Sequence, residues 1–256
     1  MSADGQRWTV LNAAPDLRQQ LEQTPALQPN GAIRSTPIDS VVLTGGDVDV
    51  LAGLLTLRER QRFDLYASAR VLGVLDANPI FEVLSREFVG RHAVDLDQQV
   101  QLGSGVSVTL FAVPGKVPLY LEQNDAPAIE VNDQTVGAEI SDGHGRFFYI
   151  PGCAAMTPAL AERLRGAALV LFDGTLWSDD EMVRAGLSPK TGARMGHMSV
   201  SGPGGTMEAF RNLDVRRRIL IHINNSNPVL LDDSPERAEV EAAGWEVAYD
   251  GMEIAL

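Results

Sequence analysis

Three short segments of this chain each contain a run of apolar residues that is followed by polar residues. They are SVVLTGGDVD at residues 40–49, ALVLFDG at 168–174 and RRILIHINN at 217–225. An uninterrupted apolar run is typical of a strand buried on both faces of its sheet, because an exposed face would require alternating polar residues. The segments therefore predict an α/β protein whose sheets are covered on both sides.

The order of the other segments predicts two sheets rather than one. Further predicted strands cover 106–115, 118–123, 135–152 and 245–256, with Asp142-Gly143 as a hairpin turn. Predicted helices cover 14–23, 49–61, 157–167, 205–213 and 234–244, and a strand, a helix, a loop and a helix are predicted within 63–88. Strands outnumber helices in the first two thirds of the chain. This order favours a single α/β domain over residues 1–256, a four-layer αββα sandwich with helices outside two packed mixed sheets.

Charge and composition exclude several classes of protein. The formal net charge of −13 repels nucleic acid and anionic membrane surfaces, so neither is expected as a partner. No apolar run approaches the ~20 residues of a membrane helix and no secretory signal is visible, which favours a soluble cytoplasmic protein. The single cysteine, Cys153, excludes an internal disulfide framework. Neither a glycine-rich nucleotide motif nor a Gly-x-Ser-x-Gly nucleophile motif occurs.

Candidate functional residues lie where the apolar strands end, which is where ligand sites gather in α/β proteins. They are Asp47, Asp49, Asp173, His222, Asn225 and Asn227. A purely structural interpretation is open for each type: an Asp-Gly turn after Asp173, a core histidine at 222 and asparagines that form a turn. His197 lies between two glycine-bearing loops, so it is expected near the surface, either as a free base or as a solvated loop residue.

The motifs occur in an order that resembles the metallo-β-lactamase fold. Within that fold, YIPG, LVLFDGTLWSDDEM, TGARMGHMSVSGPGG, LIHINNSNP, DDSPERAEV and VAYDGMEIAL resemble the coenzyme PQQ synthesis protein B family, over essentially all 256 residues. The resemblance implies a cytoplasmic protein of pyrroloquinoline quinone (PQQ) biosynthesis. Members of that family usually carry an N-terminal glycine-rich strand-loop and a zinc-binding cysteine cluster. This sequence shows neither, so we expect an N-terminally shortened form.

The resemblance also implies a metal site. The metal motif of the fold, Thr-His-x-His-x-Asp-His, falls on residues 44–50, where Gly45, Asp47 and Val50 stand at the histidine positions. Asp47, Asp49 and His222 are thereby implied as the ligands of one ion. A binuclear zinc hydrolase needs about five or six ligands, so neither a β-lactamase nor such a hydrolase is expected.

The family resemblance then suggests an activity. We expect one Fe(II), with zinc as the alternative metal, and O₂ as co-substrate for hydroxylation of the tyrosine ring in a Glu-Tyr-derived diamino acid. His197, Asp173, Asn225 and Asn227 are expected as catalytic helpers, with His197 as acceptor of the phenolic proton and the asparagines orienting water or substrate. The alternative is a non-catalytic carrier of PQQ or an intermediate toward the periplasm. Other expected partners are PQQ biosynthesis proteins and a second copy in a homodimer.

Overall fold

Two sheets face each other in this computed structural model, which describes residues 1–29, 31, 35–123 and 128–255. The first sheet is parallel, in the order β1 (Trp8–Leu11), β2 (Ile38–Val42), β3 (Phe63–Ala67), β4 (Val89–Ala93). The second sheet is mixed and has the spatial order β11-β10-β9-β8-β7-β6-β5. Its strands are β5 (Gln99–Gln101), β6 (Ser107–Gly115), β7 (Glu130–Ser141), β8 (Arg146–Ile150), β9 (Leu169–Asp173), β10 (Arg217–Ile221) and β11 (Glu246–Val247).

The described residues also form eight helices, most of which cover the outer faces of the sheets. They are α1 (Leu17–Gln23), α2 (Val48–Leu51), α3 (Ala69–Ala77), α4 (Pro158–Leu164), α5 (Glu181–Arg184), α6 (Gly192–Met195), α7 (Thr206–Ala209) and α8 (Pro235–Ala242). The predicted start of the last long helix is confirmed, since the Ser234 hydroxyl accepts a hydrogen bond from Arg237 N at 3.0 Å with Pro235 in the first turn.

Three apolar clusters define the four layers. The first sheet packs on α1 to α3 through residues such as Leu54, Leu65 and Leu75. The second packs on α4, α7 and α8 through residues such as Phe172, and the sheets pack on each other around Leu110. Because the centre of the second sheet is covered on both faces, β9 is apolar from Leu169 to Phe172. The predicted αββα sandwich is therefore confirmed.

Hydrogen bonds also join the two sheets directly, through β7. Val136 N in this strand donates to Thr44 O, just after β2, at 2.9 Å. The Ser68 hydroxyl, at the start of α3, donates to Asp133 O, also in β7. Beta7 therefore attaches the second sheet to the first beside the loop that follows β2.

Several predicted elements differ from the structure. Residues 118–123 were predicted as a strand, but Leu119–Leu121 form a 3₁₀ turn that follows Pro118, which has no N–H to give to a sheet. The predicted strand 245–256 is limited to Glu246–Val247, because a turn with Met252 N bonded to Tyr249 O follows it. The predicted second helix within 63–88 is a 3₁₀ turn, Pro79–Val83, and strand β4, Val89–Ala93, was not predicted.

Candidate metal centre

A cavity of about 970 Å³ lies where strand ends of the two sheets meet. The loops after β1, β2, β8 and β10 line it, so the parallel strands of both sheets direct polar residues to one place. Four predicted site residues line the cavity: Asp47, Asp49, His197 and His222. Asp173 lies behind the wall and is fully buried.

Asp173 anchors the polar cluster. Its Oδ2 accepts hydrogen bonds from Cys153 N at 2.9 Å and from His197 Nδ1 at 2.7 Å. Its Oδ1 accepts from Thr175 N at 3.0 Å and from Thr175 Oγ1 at 2.6 Å. Burial raises the pKa of this carboxyl, but the histidines at 197 and 222 and these hydrogen bonds outweigh burial, so its pKa is lowered. Asp173 is therefore a carboxylate whose oxygens are all engaged.

Two stacked imidazoles lie next to Asp173. The rings of His197 and His222 stack with centroids 5.4 Å apart and planes 20° apart. Among the described residues, Asp173, His197 and His222 form the group whose potential ligand atoms all lie within 4.8 Å of one another. His222 follows β10 with a left-handed backbone, φ 53°, which is uncommon for a residue with a side chain.

Asp49, which follows β2 of the first sheet, lies close to the imidazole of His222. Its Oδ2 lies 3.8 Å from His222 Nε2. Interaction with His222 is the main cause that lowers the pKa of Asp49, against an opposing effect of burial. Burial lowers the pKa of His222, but Asp49, Asp173 and Asp47 outweigh it and raise that pKa. Carboxylate and imidazole therefore stabilise each other's charged forms.

Asp47 lies toward a different wall of the cavity. Burial raises the pKa of its carboxyl, and Lys116 is the largest opposing influence. Lys116 belongs to a group of three cations around Glu122, to which Lys116 Nζ and Arg194 each lie 2.8 Å away and Lys190 3.6 Å. The predicted ligand trio Asp47, Asp49 and His222 is thus brought to one cavity, but only Asp49 and His222 are paired closely.

The two predicted asparagines do not line this cavity. Asn225 is exposed. Asn227 is 2% exposed, and its side chain donates to Gly174 O at 2.8 Å and accepts from Val229 N at 3.1 Å. These bonds hold the loops after β9 and β10 together. The geometry therefore gives Asn227 a structural role and gives Asn225 no contact with the cavity.

The sequence analysis did not predict two polar residues of the site, Thr175 and Asn12. Thr175 Oγ1 lies 2.9 Å from His222 Nδ1 and 3.1 Å from His197 Nδ1. Asn12, with φ 58°, accepts from Thr44 N at 2.9 Å and donates to Thr44 Oγ1 at 2.9 Å and to the Tyr149 hydroxyl at 3.3 Å. Only Thr175 left a sequence signal, as a hydroxyl two residues after an aspartate, the spacing of an Asx turn.

The donor set at the cavity fits one divalent ion. The Nδ1 atoms of both imidazoles face the buried Asp173–Thr175 pair, which leaves Nε2 of each ring as its metal-binding atom. A histidine that ligates a metal almost always gives its other ring N–H to a carboxylate, a carbonyl or a comparable acceptor. With the Asp49 carboxylate, the chain offers two imidazoles and one carboxylate beside an open cavity.

Comparison with known proteins defines the class. Residues 7–223 match the β-lactamase superfamily domain. A diphosphatase of the PhnP family shares the fold, with a TM-score of 0.63 at 19% identity over 96% of this chain and 78% of that one. The chain therefore has the metallo-β-lactamase fold.

Within that superfamily the chain belongs to the coenzyme PQQ synthesis protein B family. It is 60% identical to the coenzyme PQQ synthesis protein B of Gluconacetobacter diazotrophicus, over 99% of this chain and 85% of that protein. The Zn²⁺-bound PqqB from Methylobacterium extorquens superposes with a TM-score of 0.97 at 48% identity, over 100% of this chain and 86% of that one. None of the described helices is long and apolar enough to span a membrane.

Proposed function

We propose that this chain is a PQQ biosynthesis enzyme that uses one Fe(II) and O₂ to hydroxylate the tyrosine ring of a small Glu-Tyr-derived diamino acid. The observation that carries the proposal is the pair of stacked imidazoles, His197 and His222, with Asp49 3.8 Å from the second ring. Two histidines and one carboxylate with open positions are the donor set of non-haem Fe(II) oxygenases. Family membership supports the place in PQQ biosynthesis.

In this proposal His197, His222 and Asp49 hold the ion, which supplies redox chemistry toward O₂ when bound. Asp173 keeps its position behind the imidazoles and orients His197 through the 2.7 Å hydrogen bond. His197 was predicted as the proton acceptor for the phenol, but its place beside His222 favours a ligand role instead. That leaves Asp47 as the base of the cavity, because burial raises its pKa and so increases its affinity for a proton.

The cavity size and charge suit a small polar substrate. Its volume of about 970 Å³ lies at the upper end of the range of small-molecule sites. Lys116 also lines the cavity and pairs with Glu122 at 2.8 Å. In this proposal its ammonium group is a further contact for a substrate carboxylate.

The test is a single-turnover assay with the metal-loaded protein. Protein loaded anaerobically with Fe(II) is mixed with Glu-Tyr, O₂ and ascorbate as the two-electron reductant. The proposed step replaces a ring C–H bond by C–OH with one oxygen atom of O₂, while the other oxygen leaves as water. We expect a product heavier by one oxygen atom and labelled from ¹⁸O₂. Absence of that product, with an active relative assayed alongside, contradicts the proposal.

The second candidate function is a non-catalytic carrier of PQQ or a late intermediate. It is favoured by Gly45 and Val50, which line the cavity at positions where the fold usually has metal-binding histidines. A carrier should bind PQQ equally well with and without a chelator. Titration calorimetry in both conditions distinguishes it from the enzyme, whose substrate binding should depend on the metal.

A further inference from the structure

The Thr175 hydroxyl lies at the centre of the polar cluster behind the cavity. Thr175 is 8% exposed. Its Oγ1 lies 2.6 Å from Asp173 Oδ1, 2.9 Å from His222 Nδ1, 3.1 Å from His197 Nδ1 and 3.1 Å from His222 O. A hydroxyl donates one hydrogen bond and accepts up to two. The contacts therefore cannot all be donated by Thr175, and the partners decide the direction of each.

The carboxylate determines where the Thr175 proton points. Asp173 accepts from two backbone N–H groups as well as from the side chains, so it acts here only as an acceptor. The 2.6 Å contact to its Oδ1 is the shortest of the Thr175 contacts and is a charge-assisted hydrogen bond, so the carboxylate takes the hydroxyl proton in preference to the neutral carbonyl His222 O at 3.1 Å. When the Thr175 proton lies on the bond to Asp173, only lone pairs of Oγ1 face the two imidazoles. A ring nitrogen that forms a hydrogen bond with Oγ1 must therefore carry the hydrogen itself.

The two imidazoles depend on Thr175 to different degrees. His197 Nδ1 reaches Asp173 directly at 2.7 Å. His222 Nδ1 lies 4.0 Å from the nearest Asp173 oxygen, beyond hydrogen-bonding distance, but 2.9 Å from Thr175 Oγ1. Asp173 can therefore orient His222 only through the threonine hydroxyl.

We propose that Thr175 is a positioning residue that relays hydrogen bonding from Asp173 to His222, holds His222 as the Nδ1–H tautomer and so directs its Nε2 lone pair into the cavity. The consequence for metal binding rests on the proposed metal site, whereas the tautomer itself does not. His222 also has a left-handed backbone, so the relay fixes a ring whose main chain is in a sparsely populated conformation.

The first experiment is long-range ¹H–¹⁵N NMR of the imidazoles in the metal-free protein, with the pH raised until each ring carries a single N–H. The chain has four histidines, and variants His92→Gln and His144→Gln identify the two that lie outside the cavity. We expect both His197 and His222 as Nδ1–H tautomers in the wild type and in Thr175→Ser, which keeps the hydroxyl. In the isosteric Thr175→Val, His222 should lose this preference while His197 keeps it.

His197 serves as the internal control, because its direct bond to Asp173 survives the substitution. An Nε2–H tautomer of His222 in the wild type overturns the proposal without any variant. An unchanged His222 in folded Thr175→Val, or equal changes in both rings, also overturns it. If Thr175→Val does not fold, the wild-type tautomer and its retention in Thr175→Ser decide.

The second measurement is zinc affinity by competition with a chelating dye. Loss of an outer-shell partner of a metal ligand typically costs about 10- to 100-fold in affinity, and we expect that loss in Thr175→Val but not in Thr175→Ser. Thr206→Val is the matched control, because Thr206 is fully buried and its hydroxyl has no hydrogen-bond partner among the described residues. Equal affinities of the Thr175→Val and Thr206→Val variants contradict the relay. A wild type that binds no zinc contradicts the proposed metal site, while the tautomers still test the relay.

Discussion

At the scale of single residues, the structure separates two aspartates that the sequence treats alike. Asp49 faces His222 at 3.8 Å, whereas Lys116 is the charged group with the largest influence on Asp47. Asp47 is the residue before α2 and Asp49 lies in its first turn, and side chains two residues apart on a helix do not face each other. Their roles should therefore differ.

Substitution of each aspartate tests this difference. Asp49→Asn removes the charge beside His222, so zinc affinity should fall by at least the 10- to 100-fold or so that an outer-shell loss costs. Asp47→Asn should have a much smaller effect on zinc but should slow the proposed hydroxylation. Asp64→Asn, at an exposed aspartate paired with His92, is the control. A larger loss of zinc affinity in Asp47→Asn than in Asp49→Asn contradicts the assigned ligand set.

Glu122 should make stability depend on acid pH. Its bond to Arg194, with further contributions from Lys116 and Lys190, lowers the pKa of Glu122 to about 2. Because the folded pKa lies below the unfolded value of about 4.3, this contribution is complete above the unfolded pKa and is lost as the pH falls toward about 2.

Urea unfolding of the wild type and Glu122→Gln should therefore show a stability difference at pH 6 that shrinks as pH falls below about 4. Glu162→Gln, at an exposed acid with an exposed partner, should show little difference at any pH; a difference for Glu122→Gln that stays constant with pH contradicts the prediction.

At the scale of elements, the ends of β1 and β2 are held together by one side chain. Asn12 exchanges hydrogen bonds with Thr44 in both directions and reaches Tyr149 in the second sheet. Its left-handed backbone lets the chain turn away from β1 into the cavity wall. The residue therefore fixes the loop that carries Asp47 and Asp49 relative to both sheets.

Replacing Asn12 should separate the effect of its side chain from that of its backbone. Asn12→Ala leaves polar groups of Thr44 and Tyr149 without a partner and places alanine, which tolerates a left-handed backbone less well than asparagine, at φ 58°. It should therefore cost about 2–4 kcal/mol in the free energy of unfolding. Asn12→Gly keeps only the hydrogen-bond loss and should cost less. Urea denaturation measures both, with Asn212→Ala as an exposed control. Equal stability of Asn12→Ala and Asn212→Ala contradicts this role.

The central strands and some of the site residues could be predicted from the sequence. Strands such as Leu169–Asp173 can be recognised in the sequence as apolar runs, because both of their faces are buried. The edge strand Val89–Ala93 was missed because it contains Gly90, Arg91 and His92 and lacks that signal. Asp173, His197 and His222 were predicted from strand ends and loops. Asn12 acts through contacts between segments far apart in sequence, which no local pattern records, and the only local signal of Thr175 is its spacing from Asp173.

At the scale of the whole molecule, the proposed ligands come from both sheets. Asp49 follows β2 of the first sheet, and His222 follows β10 of the second. A metal bound between them therefore links the two halves of the fold and binds only when both are in place. Its binding free energy adds to the free energy of unfolding.

Zinc should accordingly stabilise the entire protein. At a free zinc concentration 100-fold above Kd, one site adds about 2.7 kcal/mol, which differential scanning calorimetry detects as a higher Tm. A chelator should reverse the increase, and Asp49→Asn should reduce it. Stoichiometric zinc binding with no change in Tm would place the ion at a site that does not depend on the folded cavity.

The hydrogen bonds from β7 restrict how far the two layers of the sandwich can separate locally. Val136 N donates to Thr44 O and the Ser68 hydroxyl donates to Asp133 O, so both bonds join the two layers through β7. The layers should separate least beside these bonds, whereas the contact between Gln20 and Asp250 is exposed and should open more readily. The amide of Val136 should therefore be among the last to exchange its hydrogen with solvent, even though it lies at the wall of an open cavity.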